Sequence, residues 1–135
     1  MKKKILHIIT SLLDGGAEGV LYRLCCNDKM NQHLVVSMRG EGKYGKLLSK
    51  NGVKVYTLNM KPGKFSFIAL YKLIRIIKSE KVNIVQTWLY HADFFDITDF
   101  FEELNSSPTS GKNIFKLKCL DSSLIPICIC WKAPV

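Results

Sequence analysis

The sequence predicts an α/β domain, a Rossmann-like parallel sheet with helices on both faces, followed by an irregular C-terminal tail. Three observations carry this expectation. Up to about residue 90, short apolar runs alternate with longer segments of helical period. Helix caps and glycine turns separate them. The first apolar run, Ile5 to Ile9, leads through Gly15-Gly16 into a helix start. Helix N-termini carry N–H groups without internal partners and a dipole that favours negative charge, so a strand–glycine–helix junction is a natural anion site.

The first helix begins at Ala17, and Ala17, Val20, Leu21, Leu24 and Cys25 fall on one face. His33 to Met38 reads as a second strand with a buried Leu34-Val35-Val36 centre. Tyr44 to Lys50 makes two helical turns with Leu47 and Leu48 inward, and Gly52 is placed to end them. Val53 to Leu58 alternates as a third strand, and Pro62-Gly63 signals a loop. Ser66 fits an N-cap for a helix to about Glu80, with Phe67, Leu70, Ile74 and Ile77 as its apolar stripe, widened by Tyr71 and Leu73. Val82 to Thr87 is the fourth strand. Strands joined by helical crossovers imply a parallel sheet covered on both sides.

Beyond His91-Ala92-Asp93 the character changes. Residues 94–103 are acidic and aromatic, and Asn105 to Gly111 has loop composition. Leu124 to Trp131 has strand character, although Pro126 argues against a central strand. The expected division is therefore 1–93 as the Rossmann-like unit and 94–135 as an atypical tail, foreign to that fold.

Charge is uneven. The net charge is +9, yet residues 1–90 hold 16 basic and 5 acidic residues, a net +11. Such a domain suits anionic partners: nucleotide diphosphates, acidic lipid or nucleic acid. No nucleic-acid motif or basic–aromatic platform is present, so nucleic acid is not the expected partner. Lys72, Arg75 and Lys78 follow at helical spacing beside Tyr71, a stripe that reads as a solvated outer face or as contact with an acidic membrane. No apolar run reaches the ~18 residues of a membrane span. The Lys2-Lys3-Lys4 start imitates a signal peptide, but Asp14-Gly15-Gly16 stands where cleavage would fall, which favours a buried strand and a cytoplasmic chain. The 5 cysteines match no structural zinc spacing, and reduced thiols are expected.

In open α/β sheets, ligands bind beyond the carboxyl ends of the strands. Three groups should meet there: Asp14-Gly15-Gly16, Arg39-Gly40, and Trp88 to Asp93. Each has a structural alternative, a plain turn for the glycines, a solvated Arg39, and a capping or surface role for His91. Dinucleotide binding fits poorly. Gly15-Gly16-Ala17-Glu18-Gly19 lacks the G-x-G-x-x-G spacing, and the second strand ends in Ser37-Met38-Arg39 with no acidic residue for a ribose.

Lys4-Ile-Leu-His-Ile-Ile-Thr10 with Gly15-Gly-Ala-Glu18, then Gly52-Val-Lys-Val-Tyr-Thr-Leu58, then Val85-Gln-Thr-Trp-Leu-Tyr-His-Ala-Asp93 together resemble the N-terminal domain of family-4 glycosyltransferases. The resemblance covers residues 3–93. It implies a GT-B architecture of two Rossmann-like lobes facing across a cleft. Such enzymes transfer a sugar, with retention, from a nucleotide-diphosphate donor to a glycan or lipid-linked acceptor in envelope polysaccharide synthesis, and need no metal or other cofactor. It further implies that Gly15 and Gly16 contact the donor diphosphate through backbone N–H groups, and that His91 lies near the transferred sugar as the catalytic-site histidine. Arg39, Trp88, Tyr90 and Asp93 become substrate contacts, with core packing the alternative for Trp88. Gly19 departs from the larger residue the family carries. The family's C-terminal donor-binding lobe has no counterpart here, so the resemblance implies a truncated or frame-disrupted product, inactive alone. The alternative is a non-catalytic basic α/β module that binds an anionic membrane surface or a nucleotide.

Overall fold

A computed structural model describes residues 2–61, 66–88, 116–119 and 128–132, the last two segments as backbone. Through β4 its elements follow the expected alternation: β1 (Lys4–Ile9), α1 (Gly16–Asn27), β2 (Gln32–Ser37), α2 (Gly42–Lys50), β3 (Lys54–Thr57), α3 (Phe67–Glu80) and β4 (Ile84–Trp88); two further strands outside that alternation are β5 (Lys116–Cys119) and β6 (Cys128–Lys132). The sheet order is β3-β2-β1-β4-β6-β5. β1 pairs in parallel with both β2 and β4, and β2 with β3. β6 joins β4 antiparallel and β5 joins β6 likewise. Thus Cys128–Lys132 has a strand on either side, which Pro126 had argued against. The strand starts two residues beyond that proline, so no ladder hydrogen bond is lost to it.

Alternation along β1 divides the core in two. Leu6 and Ile8 point to one face, where Leu34, Val36, Val85 and the α3 residues Ala69 and Leu73 close over them. Ile9 and Val35 point to the other, against Leu21 and Cys25 of α1, Leu48 of α2, and Trp88. Helices therefore cover both faces, as a buried parallel sheet requires.

The helix ends have local causes. Ser66 Oγ accepts from the Ala69 N–H at 3.4 Å and caps α3. Past α2, Gly52 takes φ +79°, a left-handed conformation that glycine adopts without strain, and its N–H bonds the Ser49 carbonyl at 3.1 Å. The tie across the sheet edge is Glu80, which accepts from Tyr56 Oη at 2.7 Å and from Lys54 Nζ at 2.9 Å. Those bonds, the tyrosine first, hold its carboxyl down at about 2.

Two apolar stripes differ from expectation. On α1, Leu21 and Cys25 are buried while Val20 and Leu24 face outward. On α3, the inward residues are Ala69, Leu70 and Leu73, and Phe67 and Tyr71 lie outside. The helix is turned so that the small Ala69 sits against the sheet.

Candidate functional site

The chain runs from β1 outward through β2 to β3, then returns by α3 to place β4 on the other side of β1. Strand order therefore reverses between β1 and β4, with α1 and α3 packed on opposite faces of the sheet. This is the topological switch point, the crevice where open α/β sheets take ligands. Register puts Trp88, the last residue of β4, beside Ile9, the last of β1.

The β1–α1 loop is anchored by Leu12, which is fully buried and whose carbonyl accepts from the Tyr44 N–H at 2.9 Å. Gly42, at φ +58°, lies so close under Leu12 that a β-carbon would overlap the Leu12 carbonyl. Past this anchor the loop is exposed through Gly15 and Gly16. The α1 ladder starts with the Gly19 N–H on the Gly15 carbonyl at 3.2 Å, so the N–H groups of Gly16, Ala17 and Glu18 stand before it. Around Gly16 no atom of the described residues would come within 4 Å of an added β-carbon, so their packing does not require glycine there. Gly15 differs: its β-carbon would collide with the Glu18 carboxylate, which folds back over the helix start and accepts from Ser11 Oγ at 3.4 Å. An acidic side chain of the protein thus lies where the dipole favours an anion.

Arg39 is exposed at the end of β2, and its N–H donates to the Thr10 carbonyl at 3.0 Å, which ties it to the β1 exit. Thr10 and Thr87, at the ends of β1 and β4, have buried hydroxyls with no hydrogen-bond partner among the described residues. Trp88 turns inward: it is 5% exposed and packs with the α1–α2 core, which favours its packing role. Tyr90, His91 and Asp93 lie outside the described residues.

A chain of buried hydrogen bonds was not anticipated. The Trp88 indole N–H donates to His7 Nδ1 at 3.1 Å, His7 Nε2 meets His33 Nδ1 at 2.9 Å, and His33 Nε2 meets Asp28 Oδ2 at 3.1 Å. Indole nitrogen only donates, and the ionised Asp28 carboxylate only accepts. The direction is therefore set from both ends. His7 is neutral with its proton on Nε2, and His33 donates from Nε2 to Asp28. Burial, with His33 adjacent, pushes the His7 pKa down to about 3. Asp28 is held at about 2, chiefly by the Asn31 side-chain bond. The sequence signal was available: a histidine inside each of two apolar strands must find a polar partner when the strands pair.

Cys25 joins the two histidines in the one group of metal-type ligands among the described residues, with ligating atoms within 4.8 Å of one another. Ligation through His7 Nε2 would require the proton on Nδ1, facing the Trp88 N–H, and two donors cannot share that contact. The residues present fit a hydrogen-bond chain rather than a cation. Gly19, the other unanticipated contact, lets Tyr44 approach α1, since a β-carbon there would sit 3.2 Å from the tyrosine oxygen.

No protein-family profile matches the chain, and neither a curated protein nor a solved structure does.

Proposed function

We propose that this chain is the N-terminal, acceptor-side lobe of a GT-B glycosyltransferase. It would serve transfer of a sugar from a nucleotide-diphosphate donor to a glycan or lipid-linked acceptor. The observation that carries the reading is the exposed Gly15-Gly16 turn at the β1–β4 switch point, with unfilled space around Gly16. The ordered motifs of residues 3–93 support it. So does Arg39, a cation tied by its backbone to the same strand end.

The chemistry follows from elementary electrostatics. Retaining transfer needs the departing diphosphate and an oxocarbenium-like sugar stabilised together in a closed, preorganised cleft. The Gly16 to Glu18 N–H groups supply donors for the diphosphate, and Glu18 must swing aside to admit it. His91 follows β4 by three residues in the sequence, and the family resemblance gives it the role of the histidine near the transferred sugar. One lobe is half of such a cleft, so these 135 residues alone bind without turning over.

The test is an amide NMR titration with a panel of nucleoside diphosphates. Two or three charge-assisted hydrogen bonds, each worth about 1.5–3 kcal/mol, give a Kd of about 1 mM for this lobe alone. Saturable shifts confined to residues 10–18 and 39–40 are expected. Shifts elsewhere, or none at millimolar ligand, would refute the reading, as would turnover of a labelled nucleotide sugar by the isolated chain.

A further inference from the structure

Rotation of α3 turns large apolar side chains outward near its start: Ile68 and Tyr71 are 71% and 67% exposed. Continuing along the same exposed stripe are Lys72, Arg75 and Lys78. With a rise of 1.5 Å per residue, they stand about 6, 10 and 15 Å along the axis from Ile68. Glu80 is the only acidic residue of α3, and it is engaged at the sheet edge by Lys54, Tyr56 and Lys4. The outer face of α3 is therefore apolar at one end and cationic along the rest, and the helix itself adds no acidic side chain to it.

We infer that this face of α3 docks on an anionic lipid bilayer, its first turn entering the acyl boundary and its basic residues reaching headgroup phosphates. Charge complementarity selects the partner. A domain of net +11 with an uninterrupted basic stripe is drawn to a negative surface, and polybasic contacts of this kind hold membranes electrostatically. The exposed isoleucine separates the bilayer from a nucleic acid, because it has no π-face for base stacking but partitions into lipid. The long basic stems reach across the interface while keeping their heads wet. The inference stands apart from the sugar-transfer reading, since it uses none of the switch-point residues.

The test is co-sedimentation of the full chain with vesicles of phosphatidylcholine alone and of phosphatidylcholine mixed with phosphatidylglycerol, at low and high salt. Binding is expected only with the anionic lipid, weakened by salt. Triple reversal (Lys72→Glu, Arg75→Glu, Lys78→Glu) should lower partition by at least about a hundredfold, since loss of three cations alone accounts for that much. The pair Ile68→Ser and Tyr71→Ser should lower it even at low salt. Reversing the exposed lysines 29, 46 and 50 instead should leave it largely unchanged. All these positions are exposed, and circular dichroism confirms that each variant folds. Equal binding to neutral vesicles, equal loss from the control reversal, or no effect of the apolar pair would overturn the inference. So would self-association, or binding of single-stranded RNA, through this face in place of vesicle binding.

Discussion

Acid should destabilise this domain through His7 before its carboxylates protonate. The hydrogen-bond chain from Trp88 to Asp28 has no place for an extra proton on His7: charging it turns Nδ1 into a donor facing the Trp88 indole N–H. In the folded state the His7 pKa is lowered from 6.5 to about 3. The unfolded chain therefore takes up the proton first, and stability present above pH ~6.5 falls as pH drops toward ~3. The slope is about 1.4 kcal/mol per pH unit, so about 2 kcal/mol is lost between pH ~7.5 and ~5. In a domain of this size that lowers Tm by on the order of 8 °C. Urea denaturation across this range measures the slope. The variant His7→Gln keeps an acceptor and a donor but cannot titrate, and its slope should be flatter by about that amount. An unchanged slope in the variant, or no acid loss in the native chain, would refute the reasoning.

Three further outcomes follow from the packing. Gly42→Ala meets both a left-handed φ of +58° and the Leu12 carbonyl, so it should cost more than the ~1 kcal/mol of left-handed strain alone, measured by urea denaturation. Glu80→Ala unties Tyr56 and Lys54 from α3 and should cost about 1–2 kcal/mol in the same assay, with a smaller loss at high salt. Burial pushes the Cys25 thiol up to about 12, so alkylation at mildly alkaline pH followed by peptide mapping should leave it unmodified until the chain unfolds. Rapid labelling of Cys25 in the native state would contradict its placement on the buried face of α1.

Much of the fold was legible because it rests on local rules. Apolar runs of strand length between helical periods gave the βαβ alternation, while Ser66 and Gly52 marked their helix ends through a side-chain acceptor and a positive φ. The facing of the helices was less legible. Phe67 and Tyr71 fit an apolar stripe by spacing alone, but the sheet selects Ala69 and Leu73, a choice made by the shape of the opposing surface. At the candidate site, Gly15, Gly16 and Arg39 fall where strand-end logic put them. Trp88 shares the strand end but turns inward, because His7 offers its indole N–H a buried acceptor. That pairing needs the register of β1 against β4, which no single segment reveals. The pull toward His7 and His33 was missed for the same reason.

The switch-point glycine offers the most direct measurement of the central claim. Gly16 is helical and has open space where a side chain would go, so Gly16→Gln should leave urea stability unchanged or slightly raised. If the open space is there for a phosphate, the same variant loses nucleoside-diphosphate shifts at the α1 amides. Native folding with binding abolished is the predicted result. Native folding with binding intact would contradict it.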